Sequence, residues 1–232
     1  MDVKQSKRIQ TSILNASEKK VLVWLAERQP RWVTSDMLTL VGMLGSVIIA
    51  TGYILSNINI NFLWLASFGF VVNWYGDSLD GTLARVRNQQ RPIYGFYVDH
   101  TVDAINELLM FVGAGLSPLM DVKLAVVILV IYLMLTLNVS VNAHLKNEFK
   151  LTYAKLGPTE FRIVVILVNT LLVCFRPLTE IANSYTIFDH EVTLHVMDYV
   201  GAVILAFLIF VYLVTIVRDA REYAKKDPLP KP

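Results

Sequence analysis

Six long apolar segments constrain the fold of this chain more than any other feature of its sequence. We place them at 35–56, 61–86, 95–117, 122–145, 160–178 and 194–217. Each is close to the roughly 20 residues that an α-helix needs to cross the hydrocarbon core of a bilayer. The sequence therefore predicts an all-α integral membrane protein with six transmembrane helices.

The composition supports this prediction and limits the other classes of protein. Hydrophobic residues make up 55% of the 232 residues and charged residues only 17%, against about a quarter in soluble domains. A net charge of +2 gives no reason to expect a nucleic-acid partner. A single cysteine, Cys174, excludes an intrachain disulfide and a Cys-x-x-Cys metal site.

The distribution of basic residues predicts how the helices are oriented. All of the 21 Lys and Arg residues except Lys123 and Arg176 lie in or beside segments that six spans place on the same side as both termini. Because Lys and Arg concentrate in cytoplasmic loops, we expect both termini and the loops after the second and fourth spans to be cytoplasmic.

Residues 3–29 predict a helical segment that lies on the cytoplasmic membrane surface and binds membrane lipids. Its apolar side is predicted to consist of Ile9, Ile13, Val21, Trp24 and Leu25, and its basic side of Lys19, Lys20 and Arg28. Pro30 should end this segment, and Thr34 or Ser35 should cap the next helix. The predicted domains are an interfacial amphipathic segment at 1–33, a six-helix catalytic domain at 34–218 and a cytoplasmic tail at 219–232.

Four aspartates stand at the predicted cytoplasmic ends of the second and third spans. Asp77 and Asp80 are three residues apart, and Asp99 and Asp103 are four residues apart. Either spacing puts two side chains on one face of a helix. The connection at Arg87–Tyr94 is short, which predicts that the two helices are antiparallel neighbours. We therefore expect all four carboxylates to converge just inside the membrane.

Such a cluster of carboxylates indicates a metal site. Four anions in a low-dielectric pocket repel one another, and divalent cations would remove that repulsion. Ligands that are all oxygen favour Mg²⁺ or Mn²⁺ over zinc. A pair of such ions would polarise a pyrophosphate and neutralise charge on a departing phosphate.

Small residues accompany the aspartates. Gly76, Gly81, Ala84 and Gly95 lack side-chain bulk, which allows close helix contact or leaves room for a flat base. For Gly76 we expect helix packing alone. Arg85 follows Ala84 directly, so it is placed to reach phosphate oxygens near the membrane surface.

The stretch from Asp77 to Asp103 resembles the signature of the CDP-alcohol phosphotransferase family, D-x2-D-G-x2-A-R-x8–9-G-x3-D-x3-D. The chain has every fixed position of that signature, namely Asp77, Asp80, Gly81, Ala84, Arg85, Gly95, Asp99 and Asp103. Six helices and a cytoplasmic active site are also features of that family. The resemblance is therefore consistent with the architecture predicted from hydropathy and loop charge.

The resemblance implies a role for most of these residues. The residues implied to bind metal are Asp77, Asp80, Asp99 and Asp103, and those implied to contact CDP are Gly81, Ala84 and Arg85. Asp103 is also implied to act as the general base on the acceptor hydroxyl. The cofactors would be two Mg²⁺ or Mn²⁺ ions.

The reaction implied by the resemblance moves a substituted phosphate from a CDP-linked donor to an alcohol and releases CMP, in phospholipid synthesis. Either CDP-diacylglycerol reacts with a soluble alcohol, or a CDP-aminoalcohol reacts with diacylglycerol. Pro30–Gly42 and Gly157–Glu160 are similar to segments of the choline and ethanolamine phosphotransferases, although Asp36 and Thr82 depart from that branch. The sequence leaves open which substrate is the lipid and whether the chain forms a homodimer.

Other polar residues allow two interpretations. Lys155 and Arg162 either lie on the cytoplasmic surface or bind an acceptor phosphate, and the role of Glu160 is open. Glu107 continues the face of Asp99 and either supports the site or forms a structural hydrogen bond.

Polar residues in the later spans predict structural contacts. Asn138 and Asn142 share a face of the fourth span, which predicts hydrogen bonds between helices. His195 and Asp198 are expected at the opposite membrane face, away from the aspartates.

Three alternatives to the phosphotransferase are also considered. In the first, the aspartates only form structural ion pairs with Arg85, Arg87 and Arg91. In the second, the chain is an Asp-rich membrane prenyltransferase, which would release pyrophosphate and not CMP. In the third, it is a cation transporter with carboxylates inside its spans, which would consume no nucleotide.

Overall fold

The computed structural model describes residues 7–9, 14–146, 148–150, 157–187 and 190–229. Within these residues the chain forms seven α-helices, and their arrangement confirms the predicted all-α class. They are α1 (Asn15–Glu27), α2 (Ser35–Leu55), α3 (Leu63–Val86), α4 (Pro92–Gly115), α5 (Val122–Lys146), α6 (Pro158–Cys174) and α7 (Val196–Lys226). Helices α2 to α7 correspond to the six predicted segments. Helix α6 ends earlier than predicted: the backbone of Phe175 is non-helical, at φ −117° and ψ 74°, and a short 3-10 helix follows at Arg176–Glu180.

The apolar helices make the chain a membrane protein, but the six-span count stays a prediction. In the part of the chain that the structure describes, three helical segments are long and apolar enough to cross a bilayer by length and composition, namely Ser35–Leu55, Val122–Asn142 and Val196–Lys226. Helices α3 and α4 have 24 residues each but contain the charged motif. Helix α6 has 17 residues.

Two small β-structures were not predicted. Strand β1 (Lys7–Ile9) pairs in parallel with β2 (Glu148–Lys150), so residues 7–9 are not part of the helix predicted over 3–29. Strands β3 (Ala182–Ile187) and β4 (His190–His195) form an antiparallel hairpin in the loop before α7. Residues with high β-propensity, such as Tyr185 and Val192, favour this structure.

Helix α1 packs on the bundle through Leu25 of its predicted apolar side and through two further residues. It buries Leu22 and Ala26 against leucines of α2 and α3, because residues four apart share a face. Val21 and Trp24, which were predicted to form its apolar side, are 47% and 53% exposed. Ile13 lies outside the described residues. The interfacial, amphipathic character of α1 stays a prediction.

The ends of α1 and α2 agree with the sequence. Helix α1 ends at Glu27, three residues before Pro30. Helix α2 is capped by Thr34, whose Oγ1 accepts a 3.2 Å hydrogen bond from the backbone N–H of Met37. Thr34 therefore defines the N-terminus of the first long helix.

Helices α2 and α3 touch through their backbones. A Cβ added to Gly76 would lie 2.2 Å from the backbone nitrogen of Gly42 and 2.5 Å from the carbonyl oxygen of Leu38. At Gly45 it would lie 2.4 Å from the backbone nitrogen of Asn73. Small residues are what allow helices to approach this closely. The packing role expected of Gly76 is confirmed, and α3 has a well-defined position on α2.

Helix α4 packs against α2 and α5 instead of running closely along α3, so the predicted neighbour packing of α3 and α4 is wrong. Two contacts with α2 explain the difference. Arg91, just before α4, forms a 2.5 Å ion pair with Asp36 in the first turn of α2. Near the other end of α4, a Cβ on Gly113 would lie 2.5 Å from the Cα of Ala50.

Candidate active site

Three of the four predicted aspartates meet between α3 and α4. Asp77, Asp99 and Asp103 each offer a carboxylate oxygen, and these oxygens all lie within 4.8 Å of one another. All three residues are half-buried. Asp99 and Asp103 point the same way because they are one helical turn apart. The convergence predicted from the spacing is therefore seen for these three carboxylates.

Asp80 lies outside that group among the described residues. Its Oδ2 accepts a 2.6 Å hydrogen bond from Oγ1 of Thr39 in α2. Its Oδ1 accepts from the backbone N–H of Gly81, and its carbonyl oxygen accepts a 2.7 Å bond from Ser35. Three residues correspond to about 300° of rotation around a helix, so Asp80 is turned about 60° away from Asp77. Its role as a metal ligand stays a prediction.

The residues of this group fit a divalent cation. Three carboxylates this close together and partly shielded from water repel one another strongly. A donor set made only of oxygen suits Mg²⁺ or Mn²⁺. One protein cation already contacts the group, because Nη2 of Arg162 in α6 lies 2.6 Å from Oδ2 of Asp77.

A fourth carboxylate extends this face of α4. Glu107 lies one helical turn beyond Asp103, and its Oε2 is buried with no hydrogen-bond partner among the described residues. A structural hydrogen bond at that oxygen, one of the two roles considered for Glu107, is therefore not seen. The acidic face of α4 thus continues one turn beyond Asp103.

A comparison with known families decides the class of protein to which this arrangement belongs. The family model described as CDP-alcohol phosphatidyltransferase matches residues 32–218. The chain belongs to this family. A comparison with curated proteins finds no match. As a CDP-alcohol phosphatidyltransferase, the chain is a transferase of lipid synthesis that uses a CDP-alcohol, and the family depends on metal ions in general.

The residues implied to contact CDP lie at the end of α3, beside the carboxylates. Arg85 folds back along the helix, and its Nη2 donates a 2.9 Å bond to Oγ1 of Thr82. A Cβ on Gly81 would meet only Nη1 of Arg85, at 3.4 Å, and a Cβ on Gly95 would meet nothing within 4 Å. These glycines therefore leave space instead of packing helices. The CDP contacts of Gly81, Ala84 and Arg85 stay predictions.

Two arginines that were considered as ion-pair partners of the aspartates have other contacts. Arg87 donates to the carbonyl oxygens of Val33 at 2.5 Å, Pro30 at 2.8 Å and Gln29 at 3.0 Å. Arg91 binds Asp36. Arg87 therefore holds the segment between α1 and α2 against the end of α3. The ion pair with Asp77 comes from Arg162 instead, which the motif gave no means of identifying.

The polar residues of the later helices form structural contacts, as predicted. Nδ2 of Asn142 donates a 2.8 Å bond to Oδ2 of Asp219 in α7, and Asn138 donates to the same oxygen at 3.4 Å. Asp198 is buried and accepts 2.7 Å bonds from the backbone N–H groups of Asp121 and His195. These bonds join α5 to α7 at two levels.

Proposed function

We propose that this CDP-alcohol phosphatidyltransferase moves a substituted phosphate from a CDP-linked donor to an alcohol, with release of CMP, at the carboxylate group between α3 and α4. The observation that supports the proposal most directly is the meeting of Asp77, Asp99 and Asp103 within 4.8 Å. These residues occupy the first, third and fourth of the four aspartate positions in the family signature, and Asp80 occupies the second. Sequence motif and geometry therefore point to the same atoms.

We assign the binding of two Mg²⁺ or Mn²⁺ ions to the carboxylates of Asp77, Asp99 and Asp103, together with Asp80. When bound, such ions polarise the pyrophosphate and offset the charge that develops on the departing phosphate. The bond from Thr39 to Oδ2 of Asp80 uses only one of the lone pairs of this carboxylate and leaves others for a metal ion. The side chains of α3 and α4 fix the position of the donor relative to the acceptor.

Asp103 is proposed as the general base. It lies eight residues beyond Gly95, roughly 12 Å along the helix axis, where a hydroxyl group arriving from the lipid side can meet it. Its carboxylate takes the hydroxyl proton while the hydroxyl oxygen bonds to the β-phosphorus of the donor. The bond from that phosphorus to the bridging oxygen of the pyrophosphate breaks, and CMP leaves with the electron pair.

The CDP moiety is assigned to the end of α3. The space beside Gly81 suits a flat base or a sugar, and Ala84 adds no bulk there. Arg85 carries a permanent charge and donors in a planar fork, which suits phosphate oxygens. The exposed position of Arg85 leaves its guanidinium accessible to a donor that arrives from water.

We also propose that α2 to α7 cross the membrane, with both termini and the active site on the cytoplasmic side. The asymmetry of the basic residues supports this orientation. Helices α3 and α4 are long enough to span, and their carboxylates lie between helices instead of facing lipid. The proposed catalytic domain is 34–218, which is close to the matched range.

The experiment that tests the function is a panel of radiolabelled CDP donors given to the purified protein in lipid nanodiscs. CDP-diacylglycerol is paired with soluble alcohols, and CDP-choline and CDP-ethanolamine are paired with diacylglycerol. We expect one donor and acceptor pair to give a phospholipid and an equal amount of CMP. Pyrophosphate release, or no nucleotide consumption with any pair, would contradict the proposal.

A further inference from the structure

Arg162 contacts the carboxylate group but is not part of the family signature. The signature therefore gives it no role. Its Nη2 and Oδ2 of Asp77 are 2.6 Å apart, and the two side chains are 13% and 23% exposed. The contact is therefore a charge-assisted hydrogen bond that is largely shielded from water, which makes it stronger than an ion pair on the surface.

The electrostatics of the carboxylate group explain why a cation is needed there. Like charges about 5 Å apart repel one another strongly where water is partly excluded. Asp77, Asp99 and Asp103 form three such pairs. A guanidinium on Asp77 offsets part of that repulsion as long as no divalent cation is bound.

The first turn of α6, which carries Arg162, is held by hydrogen bonds from two sides. Glu160 accepts 2.9 Å bonds from the backbone N–H groups of Gly157 and Leu14. Glu18 of α1 accepts from Oγ1 of Thr159 at 2.6 Å. The Gly157–Glu160 segment, whose role the sequence left open, is therefore a structural joint between α6 and the N-terminal region.

The same joint reaches the helix that carries Asp77. Glu18 also accepts a 2.8 Å bond from Nε1 of Trp74, one turn before Asp77 in α3. The start of α6 and the middle of α3 are thus both bonded to one side chain of α1. Arg162 follows Glu160 by two residues, so its reach to Asp77 is set by this arrangement.

We propose that Arg162 is the resident counter-ion of the carboxylate group: it holds Asp77 in place before a divalent cation binds, and it competes with that cation for Asp77. The inference uses the metal site of the proposed function but not the transfer reaction itself. It predicts the direction in which Arg162 changes the affinity for metal. Arg162 stabilises the unloaded protein and weakens metal binding, whereas a residue that merely orients Asp77 as a ligand would strengthen metal binding.

The test is the affinity of the purified protein for Mn²⁺, measured from the electron paramagnetic resonance signal of the free ion without nucleotide. Arg162→Gln removes the charge and should bind Mn²⁺ about tenfold more tightly, because a cation a few ångströms from the ion has been removed. Arg162→Lys keeps the charge and should stay within about threefold of the wild type. In an Asp77→Asn background, Arg162→Gln should tighten Mn²⁺ binding by clearly less than tenfold, because the competition for Asp77 is gone and only the repulsion between the two cations remains.

Thermal unfolding with and without Mn²⁺ gives an independent measurement. Without Mn²⁺, Arg162→Gln should unfold at a lower temperature than the wild type, and saturating Mn²⁺ should remove most of the difference. If the variant is recovered only in Mn²⁺, the proposal is supported, since the ion replaces the counter-ion. Failure to fold even in saturating Mn²⁺ would overturn it.

Weaker Mn²⁺ binding by Arg162→Gln, or unchanged binding, would also overturn the proposal. These results are separate from the test of the transferase. Tighter Mn²⁺ binding by the variant with no CMP release from the wild type would reject the proposed reaction and keep the counter-ion. CMP release from the wild type, together with weaker Mn²⁺ binding by the variant, would support the proposed reaction and reject the counter-ion.

Discussion

At the scale of single residues, Asp103 is expected to move a proton while the other aspartates mainly bind metal. Asp103→Asn keeps the size of the side chain but removes its basicity. The rate of CMP release should fall by about 10²- to 10⁴-fold, the usual contribution of a general base. Donor affinity in Mg²⁺, measured by calorimetry, should change little because the other carboxylates hold the metal.

The control for this variant is Asp227→Asn, an exposed residue just after α7, which should leave both quantities unchanged. Loss of donor binding in Asp103→Asn would show that Asp103 is chiefly a metal ligand. Near-normal turnover would place the base elsewhere, and Glu107, with its buried and unpartnered Oε2, would be the next residue to test.

Asp80 and Asp77 should differ in how strongly they bind metal. Asp80 is turned towards Thr39, while Asp77 is in the carboxylate group. We expect Asp80→Asn to weaken Mn²⁺ binding, since an amide is a poor substitute for an anionic ligand, but by less than Asp77→Asn. Calorimetric titration of the two variants beside the wild type measures both effects. An equal loss would contradict the weaker metal contact expected of Asp80.

The spacing of the motif predicted part of this site and not the rest, for physical reasons. Residues four apart in one helix must share a face, so the pairing of Asp99 with Asp103 follows from the sequence. Arg162 is 85 residues from Asp77, and no periodic pattern links positions that far apart. The bond from Thr39 to Asp80 likewise depends on how α2 packs on α3.

At the scale of secondary-structure elements, the close contact of α2 and α3 gives the clearest prediction. Gly76→Ala would place a Cβ 2.2 Å from the backbone nitrogen of Gly42, so the helices must separate. We expect a loss of about 1–3 kcal/mol of stability, the usual cost of overpacking, seen as a lower unfolding temperature in detergent.

Gly95→Ala is the matched control, because its Cβ would meet nothing within 4 Å. Its unfolding temperature should stay at the wild-type value, apart from a small gain in helix propensity. Equal unfolding temperatures for Gly76→Ala and Gly95→Ala would show that α2 and α3 are not held together at Gly76.

The sequence predicted the long helices well because each is defined by its own apolar length. The start of α2 at Ser35 and the end of α3 at Val86 agree with the predicted segments. The hairpin of β3 and β4 was missed because its residues were assigned to a loop. The position of α4 was missed because it depends on contacts with α2, which is distant in sequence. The residues that α1 buries likewise depend on the leucines of its neighbours.

At the scale of the whole molecule, the six-span arrangement predicts on which side of the membrane each loop lies. In a Cys174→Ala background, Gln89→Cys and Asn183→Cys place single thiols at exposed positions in the α3–α4 connection and in the hairpin. A membrane-impermeant maleimide should label Gln89→Cys only from the cytoplasmic side and Asn183→Cys only from the other. Labelling of both from one side would reject the six-span arrangement.

The joint formed by Glu18, Thr159 and Trp74 connects the N-terminal helix to both sides of the proposed active site. The matched family range begins at residue 32, so α1 lies outside it. The N-terminal helix is therefore a part of this chain that the family signature does not describe, although its hydrogen bonds reach the helices that carry Asp77 and Arg162.

The central claim is that metal-bound carboxylates transfer a phosphate from a CDP-alcohol, and it is tested most directly by measuring CMP release with and without a chelator. With the donor and acceptor identified by the panel, the purified protein should release CMP and phospholipid in equal amounts in Mg²⁺ or Mn²⁺. EDTA should abolish both products and excess Mg²⁺ or Mn²⁺ should restore them. Full turnover in EDTA would contradict the metal site at Asp77, Asp99 and Asp103, and pyrophosphate in place of CMP would contradict the reaction.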